Sequence, residues 1–157
     1  SDDGVLQPYC SEAYSYVCHR DEKGVSTAID QILTDLETRT PETGTQVCIL
    51  IQDVCKFADI VSDENRDAME RICRMAKNMG VLVIASGRSS ELMSFQINEP
   101  LTKTLLNAQR GIALGGNAGM HRYFPMNLSY EERSAEIAAG NALMVMQGNV
   151  RHIRWMQ

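Results

Sequence analysis

Val47-Cys48-Ile49-Leu50-Ile51 runs directly into Gln52-Asp53. An unbroken apolar run rich in β-branched residues suits a strand buried on both faces, as in a parallel sheet covered by helices; a half-exposed strand would alternate apolar with polar. A second such run, Val81-Leu82-Val83-Ile84-Ala85, follows further along. Between the two, Ser62-Asp63-Glu64 supplies an N-cap and an acidic first turn. Ala68, Met69, Ile72, Cys73, Met75, Ala76 and Met79 then recur at helical spacing, and Gly80 closes the segment. Strand, helix and strand with short joints form a βαβ unit, so the two strands are expected to be parallel with a right-handed crossover.

The rest of the chain extends this α/β pattern. Upstream, Val25, Ala28, Ile29, Ile32, Leu33 and Leu36 form one apolar helix face, stopped by Pro41 and Gly44. Asp2-Asp3-Gly4 reads like the end of a strand. Downstream, Glu99-Pro100 opens a third helix carrying Leu101, Leu105 and Leu106. Ile112-Ala113-Leu114 is a short third strand ending in Gly115-Gly116. A mixed loop over 117–141 contains a short helix at 131–139, and a hairpin of 142–147 and 150–156 closes on Gly148-Asn149. Residues 1–157 are therefore expected to form one α/β domain, parallel strands first and an antiparallel hairpin at the edge.

The 157 residues contain 44% hydrophobic and 22% charged residues and carry a formal net charge of −5. Such a chain has the apolar content for a packed core, which excludes disorder. A sequence pI near 5.2 disfavours a broad basic field for nucleic acid. The apolar runs fall well short of the roughly 18–20 residues of a membrane helix, and no export signal opens the sequence, so the chain reads as a soluble piece. Cys10, Cys18, Cys48, Cys55 and Cys73 are odd in number with no C-x-x-C pair, which reads as reduced thiols rather than a disulfide or zinc framework. Cys48 and Cys73 are expected to be buried; Cys10, Cys18 and Cys55 are the candidates for a reactive thiol.

In open α/β sheets ligands bind beyond the carboxyl ends of the strands. Two strand ends carry suitable chemistry: Gln52-Asp53 after the first run, and Ser86-Gly87-Arg88 after the second. A carboxylate at that point can hold magnesium or polarise water, and a hydroxyl with a nearby guanidinium can contact a phosphate. The competing reading makes Asp53 the cap of a following turn and Arg88 a solvated surface cation. No G-x-x-x-x-G-K-[ST] occurs, so the phosphate-cradling loop and its lysine are missing. Gly115-Gly116-Asn117-Ala118-Gly119 lacks the Lys-Ser/Thr of such a loop and reads as a place of close backbone approach. His19, His121 and His152 are scattered, and neither a metal cluster nor a Ser-His-Asp order emerges from them.

The order of these features resembles the motor domain of FtsK/SpoIIIE-type ATPases. The run at 47–54 resembles the Walker B strand, Val81–Ala85 with Ser86-Gly87-Arg88 the sensor strand, and Gly140-Asn141-Ala142-Leu143-Met144 the late hairpin. Within that family, Leu50-Ile51-Gln52-Asp53-Val54 and the stretch from Gln109-Arg110-Gly111 to Gly115-Gly116 look like the C-terminal ATPase module of type VII secretion proteins (EssC/EccC-like). The resemblance implies a RecA-like, P-loop NTPase-type parallel sheet flanked by helices, lacking the first strand and phosphate loop. ATP and Mg2+ are the implied cofactors. Asp53 is the implied catalytic residue, with nucleotide binding by Gln52, Asp53, Ser86, Gly87 and Arg88 and no protein metal cluster.

The implied setting is the cytoplasmic part of a membrane-anchored protein. Its partners would be preceding ATPase modules of the same polypeptide and small helical WXG-type secreted proteins, within a hexamer in the intact machine. Two departures bear on activity. Gln52 stands where the family's Walker B Asp would be, with Asp53 at the catalytic Glu position or one step out of register. Gly111 stands where DNA pumps carry an Arg that reaches a neighbouring subunit's nucleotide. An amide cannot supply the charge that holds magnesium, so a degenerate module acting in assembly, regulation or substrate recognition is expected. An active motor or DNA translocase with its phosphate loop upstream is the alternative, and an unrelated flavodoxin- or receiver-like binding domain the third reading. The nine methionines suit an adaptable surface, although helical spacing places several in a core.

Overall fold

A computed structural model describes residues 17–18, 20–40, 47–76, 78–95 and 99–154. Asp2-Asp3-Gly4, the helix stop at Pro41 and Gly44, Cys10, His19 and Met156 lie outside them.

Helix α1 (Glu22–Thr38) begins at Asp21, whose carboxylate accepts from the Gly24 amide, and buries Val25, Ile29 and Leu36. Strand β1 (Val47–Ile51) is followed by α2 (Val54–Ile60), α3 (Asp63–Ala76), β2 (Val81–Ala85), α4 (Ser89–Phe95) and α5 (Pro100–Leu106). The apolar pattern foretold α3: Met69, Ile72 and Ala76 are buried, with Ala68, Cys73, Met75 and Met79 packed partly against the same core. Ser62 Oγ caps it by accepting from the Asn65 amide. Glu99 caps α5 through the amides of Leu101 and Thr102, with Pro100 at the start as expected. Helix α3 packs between α1 and α5 and against β2. The largest fully buried side chains of this half include Ile29, Leu36, Ile72 and Leu101.

β1 and β2 pair in parallel, Val47 opposite Val81 and Ile51 opposite Ala85. Val47, Ile49, Ile51, Val81, Val83 and Ala85 face the helices and join the core. The expectation of two buried faces is corrected here. Cys48, Leu50, Leu82 and Ile84 point the other way and are exposed, Leu50 by 56% and Leu82 by 57%. Among the described residues the helices cover one face of this sheet, so an apolar run is not evidence of double burial by itself.

Strand β3 (Arg110–Leu114) pairs antiparallel with β4 (Asn141–Met146), which pairs antiparallel with β5 (Asn149–Arg154). The antiparallel part is thus three-stranded rather than a hairpin alone. Its turn is Gln147-Gly148, one residue before the expected Gly148-Asn149, with φ of 51° and 82° and Met146 paired to Asn149. Positive φ at both central residues is what a type I′ hairpin needs. This register buries Leu143 and Val145 on one face and Ala142 on the other; a one-residue slip would exchange the two sets.

Ala113, Ala118, Ile137 and Leu143 form a second, smaller core. Helix α6 (Tyr130–Ser134) stops well before residue 139. The Ile137 amide donates to Gly116 O and Glu136 bridges Asn117, which commits the following residues to extended backbone. Helices α2 and α4 were not expected, because each is a single short segment with too few residues to show a period.

Candidate functional site

The parallel pair places the ends of β1 and β2 side by side, and backbone bonds continue the pairing past both strands. Ser86 N–H donates to Ile51 O at 2.9 Å, and Val54 N–H donates to Ser86 O at 2.8 Å. The Asp53 amide donates to Ser86 Oγ at 3.1 Å. Asp53 and Ser86, 33 residues apart in sequence, are therefore direct neighbours. A serine hydroxyl that accepts an amide still has its own proton to offer a ligand.

Asp53 sits at φ 56°, ψ 76° and is the N-cap of α2, its Oδ1 accepting from the Lys56 amide at 3.3 Å. Left-handed backbone costs a non-glycine residue on the order of 1 kcal/mol, least for Asn and Asp. The capping reading of Asp53 is thus what the geometry shows: the carboxylate satisfies an otherwise orphaned helix amide. Arg88 is a surface cation, its side chain 78% exposed and 3.5 Å from Glu91. Gly87 is exposed and packs near Leu92, whose side chain would lie 3.1 Å from an added Cβ. Gln52 is half-buried beside them. Ser86 and Arg88 have the chemistry of a phosphate contact. The donor set offers a magnesium ion a single carboxylate, because Gln52 is uncharged and one oxygen of Asp53 is committed to the α2 cap. Among the described residues no group of three or more His, Cys, Asp or Glu could hold a metal ion.

Sequence reasoning missed the polar cluster beside this edge. His121 is buried, and its Nδ1 lies 2.9 Å from Ser89 Oγ and 2.8 Å from Tyr123 Oη, which are 3.2 Å apart. His121 Nε2 lies 2.9 Å from Gly115 O. Burial pushes the Tyr123 phenol up, partly offset by the hydrogen bond from Ser89. The separations of 32 and 34 residues between Ser89 and its partners leave no periodic signal; only the glycine-rich stretch preceding His121 marked the region. His152 is exposed on β5.

The cysteine expectations divide. Cys48 is exposed rather than buried. Cys55 is buried, and burial, then the nearby Asp53 charge, raises its pKa to about 11, the opposite of an activated thiol. Gly111 lies beneath the Phe124 ring: an added Cβ would fall 2.0 Å from Phe124 Cζ. A side chain fits there only if that ring moves.

No protein-family model matches the chain, and no curated protein matches it. Solved structures do. ATPases 2 and 3 of EssC from Geobacillus thermodenitrificans match 99% of this chain with a TM-score of 0.81 at 15% identity. The cytoplasmic domain of EssC matches 99% with a TM-score of 0.71 at 16% identity. The fold is that of the EssC ATPase modules. The expected α/β class, with its parallel pair and antiparallel strands, is the arrangement found in EssC. The chain spans 30% and 32% of the lengths of those two EssC chains. Among the described residues no helix is long and apolar enough to cross a membrane.

Proposed function

We propose that this chain is a single RecA-like, degenerate ATPase-type module of a type VII secretion translocase, acting in the export of small helical WXG-type proteins. The observation that carries the proposal is the match of nearly the whole chain to EssC ATPase modules. Its role is assembly, regulation or substrate recognition. Its partners are preceding ATPase modules of the same polypeptide, in a hexamer on the cytoplasmic side of a membrane-anchored protein. The capping role of Asp53 and the amide at Gln52 support loss of efficient hydrolysis, since Gln52 brings no charge and Asp53 has one oxygen committed to a helix amide. Nucleotide binding, where it occurs, is weak and runs through Ser86, Gly87 and Arg88, with Gln52 and Asp53 framing the turn. The net charge of −5 argues for a protein cargo rather than DNA.

The adjacency of Asp53 and Ser86 also suits an active motor whose phosphate loop lies elsewhere in the polypeptide. Calorimetry with Mg-ATP on the natural full-length protein, alongside a variant of any other nucleotide site it carries, separates the two. Weak or absent binding at this module supports the degenerate reading; submicromolar binding with turnover supports the motor.

A further inference from the structure

A carbonyl oxygen can only accept, so the contact with Gly115 O fixes the proton of His121 on Nε2. In the neutral ring Nδ1 is then a bare acceptor facing two hydroxyls, Ser89 Oγ and Tyr123 Oη. One hydroxyl donates to Nδ1, and the 3.2 Å contact lets the second donate to the first. Every polar atom of the buried imidazole is satisfied in this single tautomer.

The imidazole joins two parts of the molecule that share no strand pairing. Ser89 opens α4 and ends the loop leaving β2, whereas Gly115 ends β3 in the antiparallel sheet. Tyr123 buries in the larger core although it belongs to the segment that follows β3, and it packs edge-on against His121 and Phe124. The loop at 86–88 is therefore held at both ends. Ser86 is bonded to Asp53 and Val54, and Ser89 is bonded to His121.

We infer that His121 is a positioning residue, a two-sided clamp that fixes the Ser86-Gly87-Arg88 loop to the Gly115-Gly116 turn so that the two strand-end loops hold one relative geometry. Its bearing on ligand binding rests on the proposed role of Ser86 and Arg88 as phosphate contacts, but the clamp itself is tested without nucleotide, so either can fail alone.

Asn at this position carries an amide near the Nδ1 locus, and Gln carries one near Nε2. His121→Asn retains an acceptor for Ser89 and Tyr123 and releases Gly115; His121→Gln retains a donor for Gly115 and removes the acceptor shared by Ser89 and Tyr123. Amide hydrogen exchange is read at Val54 and Leu92, which donate to Ser86 O and Arg88 O, and at Ile137, which donates to Gly116 O, with core amides of α3 as the control. The expected result is a rise of about tenfold at Ile137 only in the Asn variant, and at Val54 and Leu92 only in the Gln variant, the scale of one lost hydrogen bond. Equal rises at both loops in both variants, or no rise in either, overturns the clamp and leaves His121 as packing. A long-range 1H–15N spectrum of the unaltered protein gives a second reading that needs no variant. Protonated Nε2 with bare Nδ1 is expected, and a protonated Nδ1 with bare Nε2 overturns the proposal.

Discussion

The backbone N–H of Asp53 donates to the Ser86 hydroxyl across the carboxyl ends of two parallel strands, at 3.1 Å. This bond, with the Lys56 amide on the Asp53 carboxylate, turns the chain from β1 into α2 and fixes where the candidate site lies. Removing the Ser86 hydroxyl as Ser86→Ala is expected to cost about 1 kcal/mol of stability, the net value of one hydrogen bond. Asp53→Asn keeps a capping oxygen and tolerates the left-handed backbone, so it should stay within about 0.5 kcal/mol of the parent, whereas Asp53→Ala should lose about 1–2 kcal/mol. Urea unfolding checks all three; equal losses for the Asn and Ala variants would contradict the capping role.

Thr104 Oγ1 donates to Glu70 Oε1 at 2.8 Å and Arg74 lies on the same oxygen at 2.6 Å. The hydrogen bond from Thr104, then Arg74, holds the Glu70 carboxyl below its usual value of 4.5. A depressed folded-state pKa gives stability that is present above the unfolded value and is lost as pH falls through the folded one. Thr104→Val is expected to cost about 1 kcal/mol at pH 7. The cost should shrink as the pH is lowered past the Glu70 titration. A cost independent of pH would contradict the assignment.

Cys55 and Cys73 both have pKa values raised from 9.0 to about 11, in each case chiefly by burial, with Asp53 and Glu70 respectively as the next cause. Between those values the folded chain binds more protons than the unfolded chain, so stability falls as pH rises through that range. At pH 8 a thiol reagent should modify exposed Cys48 in the native protein and reach Cys55 only on unfolding. Modification of Cys55 as fast as Cys48 would contradict the packing described.

Gly111 and Phe124 are coupled by contact. Gly111→Ala should destabilise by about 1–3 kcal/mol, because the methyl group must displace the ring. In the double variant Gly111→Ala with Phe124→Ala, the alanine at 111 should cost far less than it does alone. Additive losses would show that the ring does not set the constraint.

The sequence was legible wherever a local period ran long enough. Helices α1 and α3, the two apolar strands and the Glu99-Pro100 helix start follow from spacing and capping residues that act within a few positions. The neighbouring positions of Asp53 and Ser86 followed from the parallel βαβ reading, since both residues stand one or two places past their strands. The exposure of Leu50 and Leu82 did not, because apolar runs carry no information on how many faces are covered. Helix α2 escaped notice because its seven residues are too few to show a period, although Asp53 as the cap of a following turn was one of the two readings of that residue. The Ser89–His121–Tyr123 cluster was invisible because tertiary contacts between loops impose no period, and a lone histidine between two glycine-bearing segments has many uses.

The central claim is that the strand-end site has lost its magnesium chemistry. It is tested most directly by titrating Mg-ATP, and ATP with EDTA, into the natural full-length protein, with any other nucleotide site it carries disabled. The account predicts weak binding or none, unchanged by magnesium, with no turnover. Submicromolar magnesium-dependent binding with hydrolysis, abolished by Asp53→Asn while stability holds, would contradict it.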